Sequence, residues 1–341
     1  MSRHYLHLLA VTVLVAGISV AISAQQESIE ELRAKAEAGD ALAQTTLGSM
    51  YADGDEGVPQ DYAEAARLLQ LAANQGYARA QTTLGLMYAI GTGVPQDDAE
   101  AARLLQLAAN KGDADAQTTL GFMYGNGQGV PQDDAEAARW FQLAADQGNA
   151  EAQYTLGLTY ANGEGVPQDD AEAVRWFQLA ANQGDADAQN NLGLMYASGR
   201  GIPQDYAEAI RWYQLAANQG DALAQFNLGL MYDDGQGVPE DNVEAVRWYQ
   251  LAANQGDALA QNNLGLMYED GTGVPQDDAE AVRWYQLAAD QGHAKAQNNL
   301  GIMYANGTGI PQDDTEAVRW LQLAADQGYA PAQTNLRLIR R

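Results

Sequence analysis

The sequence runs to 341 residues, 46% of them hydrophobic, and sets 18 Lys and Arg against 45 Asp and Glu for a formal charge of −27. A field of that sign repels phosphate backbones and anionic lipid, so nucleic acid is excluded as a natural partner. With no Cys there are no disulfides, thiolate nucleophiles or zinc knuckles, and of three His two (His4 and His7) fall at the very start.

Residues 1–24 read as a secretory signal peptide. Arg3 gives a short positive start, Leu6 to Ala21 is almost wholly apolar, and Ile22-Ser23-Ala24 offers small residues before Gln25. The alternative is an uncleaved inner-membrane anchor, since Leu6 to Ala24 approaches the roughly 20 residues that span a bilayer. Cleavage makes the protein periplasmic or secreted, with no membrane insertion afterwards. Residues 25–39 are expected to form an N-terminal capping helix.

From Asp40 to Gly328 one pattern recurs eight times. Its glycine falls at Gly48, Gly85, Gly121, Gly157, Gly193, Gly229, Gly265 and Gly301, and its proline at Pro59, Pro95, Pro131, Pro167, Pro203, Pro239, Pro275 and Pro311. After a first step of 37 the spacing is 36, the extra residue lying in Gly54-Asp55-Glu56-Gly57, where later units carry Gly-x-Gly. Insertion at a loop tip leaves packed helices in phase.

Each unit predicts two helices. In the fifth, Ala188, Leu192, Met195 and Tyr196 share one helical face, and Gly199 ends that helix. Gly201-Ile202-Pro203 is loop. Asp205 with Glu208 then reads as a capping box opening the second helix, whose face carries Ala209, Trp212, Tyr213, Ala216 and Ala217. Glu208 and Arg211 are spaced to pair on the exposed side. Gly193, in mid-helix, should cost about 1 kcal/mol against alanine; its recurrence predicts close approach of the partner helix, with the Trp212 ring covering the bare backbone. Neither helix buries its stripe alone, so the units must stack.

The run Leu-Gly-x-x-Tyr, Gly-x-Gly-Val-Pro, Ala-x-x-Trp and Ala-Ala-x-x-Gly resembles the Sel1-like repeat, a tetratricopeptide-type helical pair. The resemblance implies an all-α fold, a right-handed α-solenoid with a concave face, and the role of an adaptor or scaffold, often exported in bacteria. Leu68 and Leu104 depart from it, standing where Trp140, Trp176, Trp212, Trp248, Trp284 and Trp320 stand later. Residues 329–341 look like a C-terminal capping helix, in which Arg337 replaces the packing glycine. Some cysteine-rich relatives are linked to binding or hydrolysing β-lactams, which gives an alternative function; this chain lacks those cysteines.

Variation between units gathers on the first helices. One row reads Thr45, Thr82, Thr118, Tyr154, Asn190, Phe226, Asn262, Asn298; four residues on it reads Ser49, Leu86, Phe122, Leu158, Leu194, Leu230, Leu266, Ile302; three further on, Asp233 and Glu269 interrupt alanines. These positions share a helix face, which the resemblance places on the concave side. The expected groove has Phe122, Tyr154, Phe226 and the leucines as an apolar floor and Asp233 and Glu269 as acidic walls, suited to a protein or peptide segment that is basic or apolar. On the alternative reading the leucine row packs between units and only the preceding row is exposed. Asn191, Asn227, Asn263 and Asn299 resemble the asparagines with which tetratricopeptide domains hold a ligand backbone, or else they bond to neighbouring loops.

No catalytic constellation, cofactor fingerprint or metal site is expected. A Ser-His-acid triad would need His293 with serines in distant units, the Gly-x-Gly loops lie between helices without a preceding strand, and no Ser-x-x-Lys occurs. The acidic loops offer oxygens for calcium but match no EF-hand spacing, and helix capping accounts for them.

Overall fold

A computed structural model describes residues 28–339 apart from Glu56. The expected leader at 1–24 lies outside the described residues. Among those described, every regular element is a helix: Ile29–Glu37, then eight helical pairs from Ala41–Asp53 with Tyr62–Asn74 to Ala294–Asn306 with Asp314–Asp326, then Ala330–Ile339. The chain is an all-α solenoid of two-helix repeats. It divides into two compact units, one ending at Ala180 and one beginning at Ala181, built by the same rules.

The helix ends of repeat 5 obey local chemistry. The first helix of repeat 5, Ala186–Ser198, starts at Asp185, whose carboxylate accepts from the Ala188 N–H, and stops at Gly199 in the left-handed region, φ 72°. The second, Tyr206–Asn218, starts at Asp205, whose Oδ1 accepts from the N–H groups of Ala207 and Glu208. The expected capping box is only half made. Glu208 pairs with Arg211 at 3.0 Å instead, and the Asp205 N–H donates to the Tyr196 carbonyl, tying the second helix to the end of the first. A complete capping box occurs at Ser28 and Glu31. Glu–Arg pairs at this spacing recur from Glu64–Arg67 to Glu316–Arg319, and from Arg139 on each guanidinium also lies over the neighbouring indole, 4.5 Å from the Trp140 centroid in repeat 3.

The mid-helix glycine marks the close approach as expected, but the covering residue differs. A Cβ at Gly193 would lie 2.7 Å from two ring carbons of Tyr213 and 3.2 Å from the Ala209 carbonyl oxygen; Trp212 is not what it meets. Phe141 and Phe177 cover Gly121 and Gly157 in the same way. The tryptophan faces backwards. Trp140 packs with Ala101, Leu105 and Ala108 of the preceding second helix and Leu120 and Met123 of its own first helix, and Trp248 does likewise with Ala209, Tyr213, Leu228 and Met231. Each indole N–H is buried without a hydrogen-bond partner, so tryptophan contributes apolar area rather than polar bonding. Leu68 packs against the leading helix and Leu104 against repeat 1, in the tryptophan's place.

A buried glutamine joins neighbouring repeats. Gln261 Nε2 donates to the Ala253 carbonyl at the end of the preceding second helix, 3.1 Å away, and its Oε1 accepts from Gln291 Nε2 at 2.8 Å. Gln44, Gln117, Gln189, Gln225 and Gln297 are bonded in the same manner. In repeat 2 Lys111 replaces the second glutamine and donates to Gln81 Oε1 and the Gly76 carbonyl. Each joint thus adds a second, inter-repeat bond to a helix-terminal carbonyl that already accepts a backbone N–H, as Ala253 does from Gly256 at 3.0 Å.

Candidate functional site

In the unit ending at Ala180, the aromatic residues singled out by sequence stand on second-helix rings of their own repeats. Phe122 is buried, 5% exposed, and meets Phe141 edge-on at 5.0 Å between centroids. Tyr154 is half-buried and tilts over Phe177 at 6.0 Å. Beside Phe122 opens a cavity of about 330 Å³ between repeats 3 and 4, lined by Phe122, Phe141, Ala137, Asn126, Gln132 and Thr155 together with Thr159, Asp134 and Glu164. Phe122 therefore belongs to a pocket wall, not to an open groove floor.

In the unit beginning at Ala181, Phe226 is half-buried and tilts over Tyr249 at 5.9 Å. The two acids of the same row are held by phenols: Tyr249 donates to Asp233 Oδ2 at 3.1 Å, and Tyr285 to Glu269 Oε2 at 2.6 Å. Asn263 and Asn299 hydrogen-bond the same two hydroxyls from the following repeat. Burial, with the acid beside each, drives both phenols far above their ordinary range, so they stay protonated donors. Burial also raises Asp233, against the hydrogen bond from Tyr249.

The asparagine row knits repeats together. Asn227 Nδ2 donates to Asn190 Oδ1 at 2.9 Å, and Asn299 Nδ2 to Asn262 Oδ1 at 3.4 Å. Asn191 Nδ2 donates to the Asp187 carbonyl of its own helix. These amides are half-buried and already engaged with the protein. A ligand backbone would have to compete for them.

Both rows are mixed in exposure. Thr45, Thr82, Thr118, Asn190, Asn262 and Asn298 are buried, whereas in the leucine row Leu194 and Leu266 are 47% and 37% exposed. Leu86, in contrast, is buried. Leu223 and Leu259, one turn before Phe226 and Asn263, are exposed as well. Sequence reading missed the glutamine joints, the tyrosine–acid pairs and the cavity. The cavity did leave a signal: Gly125 stands in a row of alanines and acids, and Thr159 in a row that is otherwise methionine. The aspartates of the recurring loops are engaged as caps, Asp61, Asp97 and Asp277 each accepting two backbone N–H groups. Among the described residues no helix is long and apolar enough to cross a membrane.

Helical hairpins at constant spacing, joined by a repeated polar staple and varied on one helix, define a helical-repeat protein of the tetratricopeptide type. The chain belongs to the Sel1 repeat family, whose repeat matches at residues 41–77, 78–113, 114–149, 150–185, 186–221, 222–257, 258–293 and 294–329. It is similar to c5321, a protective antigen present in uropathogenic Escherichia coli strains and displaying an SLR fold, with 39% identity, 92% of this chain and 67% of that one covered, and a TM-score of 0.85. A Sel1 repeat protein from Oxalobacter formigenes is similar at 37% identity, with 96% and 99% covered and a TM-score of 0.71. No curated protein matches. Sel1 repeat proteins generally mediate protein–protein interaction, and the fold is typically a non-enzymatic scaffold.

Proposed function

We propose that the protein is a non-enzymatic interaction scaffold of the bacterial cell envelope, holding a basic or apolar peptide or protein segment on the surface of its first helices. One observation carries this reading. In near-identical repeats the variation gathers on those helices, and there Tyr154 and Phe226 are half-buried while Leu194, Leu223, Leu259 and Leu266 are exposed. Exposed apolar side chains beside engaged polar ones make a surface whose occupant gains by burying them. The leader-like order of residues 1–24 and the likeness to a protective antigen support a place in the envelope. Nothing in the fold or the comparisons favours the β-lactam alternative.

The test is capture from an envelope extract with the wild-type chain, with Tyr154→Ala/Phe226→Ala, and with Leu194→Ser/Leu266→Ser. Both variants should lose the wild-type partner while their circular dichroism is unchanged. Equal capture by both would remove the proposed surface.

A further inference from the structure

We propose that the cavity between repeats 3 and 4 anchors one cationic, long-stemmed side chain of a bound peptide, an arginine. This rests on the interaction reading above and supplies its ligand chemistry. The space exists because two positions depart from the rest of the chain. In repeats 6 and 7 an acid at the position of Gly125 reaches the phenol opposite, Asp233 to Tyr249 and Glu269 to Tyr285. Repeat 3 lacks both halves of that pair: Gly125 has no side chain and Phe141 no hydroxyl. A Cβ at Gly125 would meet only Ala137, at 3.8 Å. In repeat 4 Thr159 replaces a methionine that is buried in repeats 2, 3, 5, 6, 7 and 8, and its hydroxyl donates to the Thr155 carbonyl at 2.9 Å. It neither fills the space nor points a free polar group into it.

The lining is mixed: the Phe122 and Phe141 rings and the methyl of Ala137 offer apolar surface beside the polar side chains of Asn126, Gln132 and Thr155. The lining also carries two exposed acids, Asp134 and Glu164, whose carboxylates accept only neutral amides, from Gln132 and Asn162 at 3.3 Å each. Gly165, at φ 74°, lets the repeat 4 loop close onto the Asp134 backbone, where any Cβ would collide with the Asp134 carbonyl. An arginine matches that lining. Its methylene stem suits the rings, and its planar fork pairs with carboxylates better than an ammonium does. An uncharged apolar side chain would gain nothing from the two acids, and an anionic one would be repelled by them and by a chain of net charge −27.

The experiment titrates the full chain into a fluorescein-labelled Gly-Leu-Arg-Leu-Gly peptide and reads anisotropy, with citrulline and norleucine analogues at the central position. The arginine peptide should bind at least about tenfold more tightly than either analogue. Thr159→Met and Glu164→Gln each install the residue of a neighbouring repeat, and each should weaken arginine binding by about tenfold with the melting curve kept. Glu164→Gln changes an exposed residue and remains informative should the buried substitution disturb folding. An absent arginine preference, or wild-type affinity in the two variants, overturns the proposal. The peptide requires no natural partner, so this outcome and that of the capture experiment are read separately.

Discussion

Replacing Gly193 by alanine sets two effects of known sign against each other. Helix propensity favours alanine by about 1 kcal/mol, whereas the new methyl would stand 2.7 Å from the Tyr213 ring, and overpacking costs about 1–3 kcal/mol. The ring is held on both sides, so overpacking wins and Gly193→Ala should lower the denaturation midpoint. At Gly48 the same methyl meets the flexible Leu69 side chain at 3.0 Å, and Gly48→Ala should be closer to neutral. Equal losses at the two positions would contradict the ring-contact account. A second residue carries a pH signature. His293 caps the first helix of repeat 8, its Nδ1 accepting from the Ala296 N–H at 3.3 Å, which requires a neutral ring. Burial, and then Lys295, hold its pKa below the ordinary value, with Asp257 opposing. A folded pKa below the unfolded one means fewer protons bound in the folded state. The cap is therefore fully present above the ordinary histidine pKa of about 6.5 and is lost as pH falls from there through the folded value. His293→Asp, the residue at the same place in repeats 5, 6 and 7, should remove that loss and add up to about 1 kcal/mol at neutral pH. Melting temperatures at pH 7.5 and 5.5 decide it: an unchanged difference between wild type and variant would show that the histidine does not titrate as a cap.

Between helices, the glutamine staple outweighs the surface ion pairs. Gln261→Met would remove two hydrogen bonds of a buried side chain, those to the Ala253 carbonyl and from Gln291, at about 0.5–1.5 kcal/mol each, while Ala253 keeps its bond from the Gly256 N–H. Arg283→Ala gives up an exposed pair with Glu280 and a stack on Trp284, worth about 1 kcal/mol or less each. Urea midpoints should rank the two in that order. The helices, their aspartate and glycine ends and the Glu–Arg pairs were legible in the sequence, because each depends on residues within one turn of one another. The staple was not, since a glutamine inside a helix looks like surface until the carbonyl it reaches in another helix is known. Assigning the glycine cover to Trp212 failed for a related reason. Trp212 and Tyr213 are adjacent in sequence and about 100° apart around the helix, and periodicity gives the width of an apolar stripe without saying which edge meets which neighbour. The same ambiguity of rotation hid which positions of the two first-helix rows are buried.

At the scale of the molecule, repeats within each compact unit meet their neighbours through the same surfaces, so the stability of a unit should approximate a sum of repeat and neighbour terms. Deleting residues 258–293 joins Asp257 to Ala294 and rebuilds an equivalent joint; the shortened chain should fold with unchanged helicity per residue and lose only one repeat's share of stability. A molten or aggregated product would refute independent repeats. The candidate site was legible to the extent that Tyr154, Phe226, Asp233 and Glu269 break an otherwise regular pattern. Gly125 and Thr159 break it too, yet they are 34 residues apart, and only the folded chain shows that both border one space. The staple has a further cost for a chain in the act of folding. Because nearly every joint is spelled with the same pair of glutamines, the staple itself carries no address, and among the near-identical repeats 5, 6 and 7 a first helix meets an equivalent staple on the wrong second helix. Misthreaded and intermolecularly exchanged forms therefore compete with correct assembly whenever two growing chains meet.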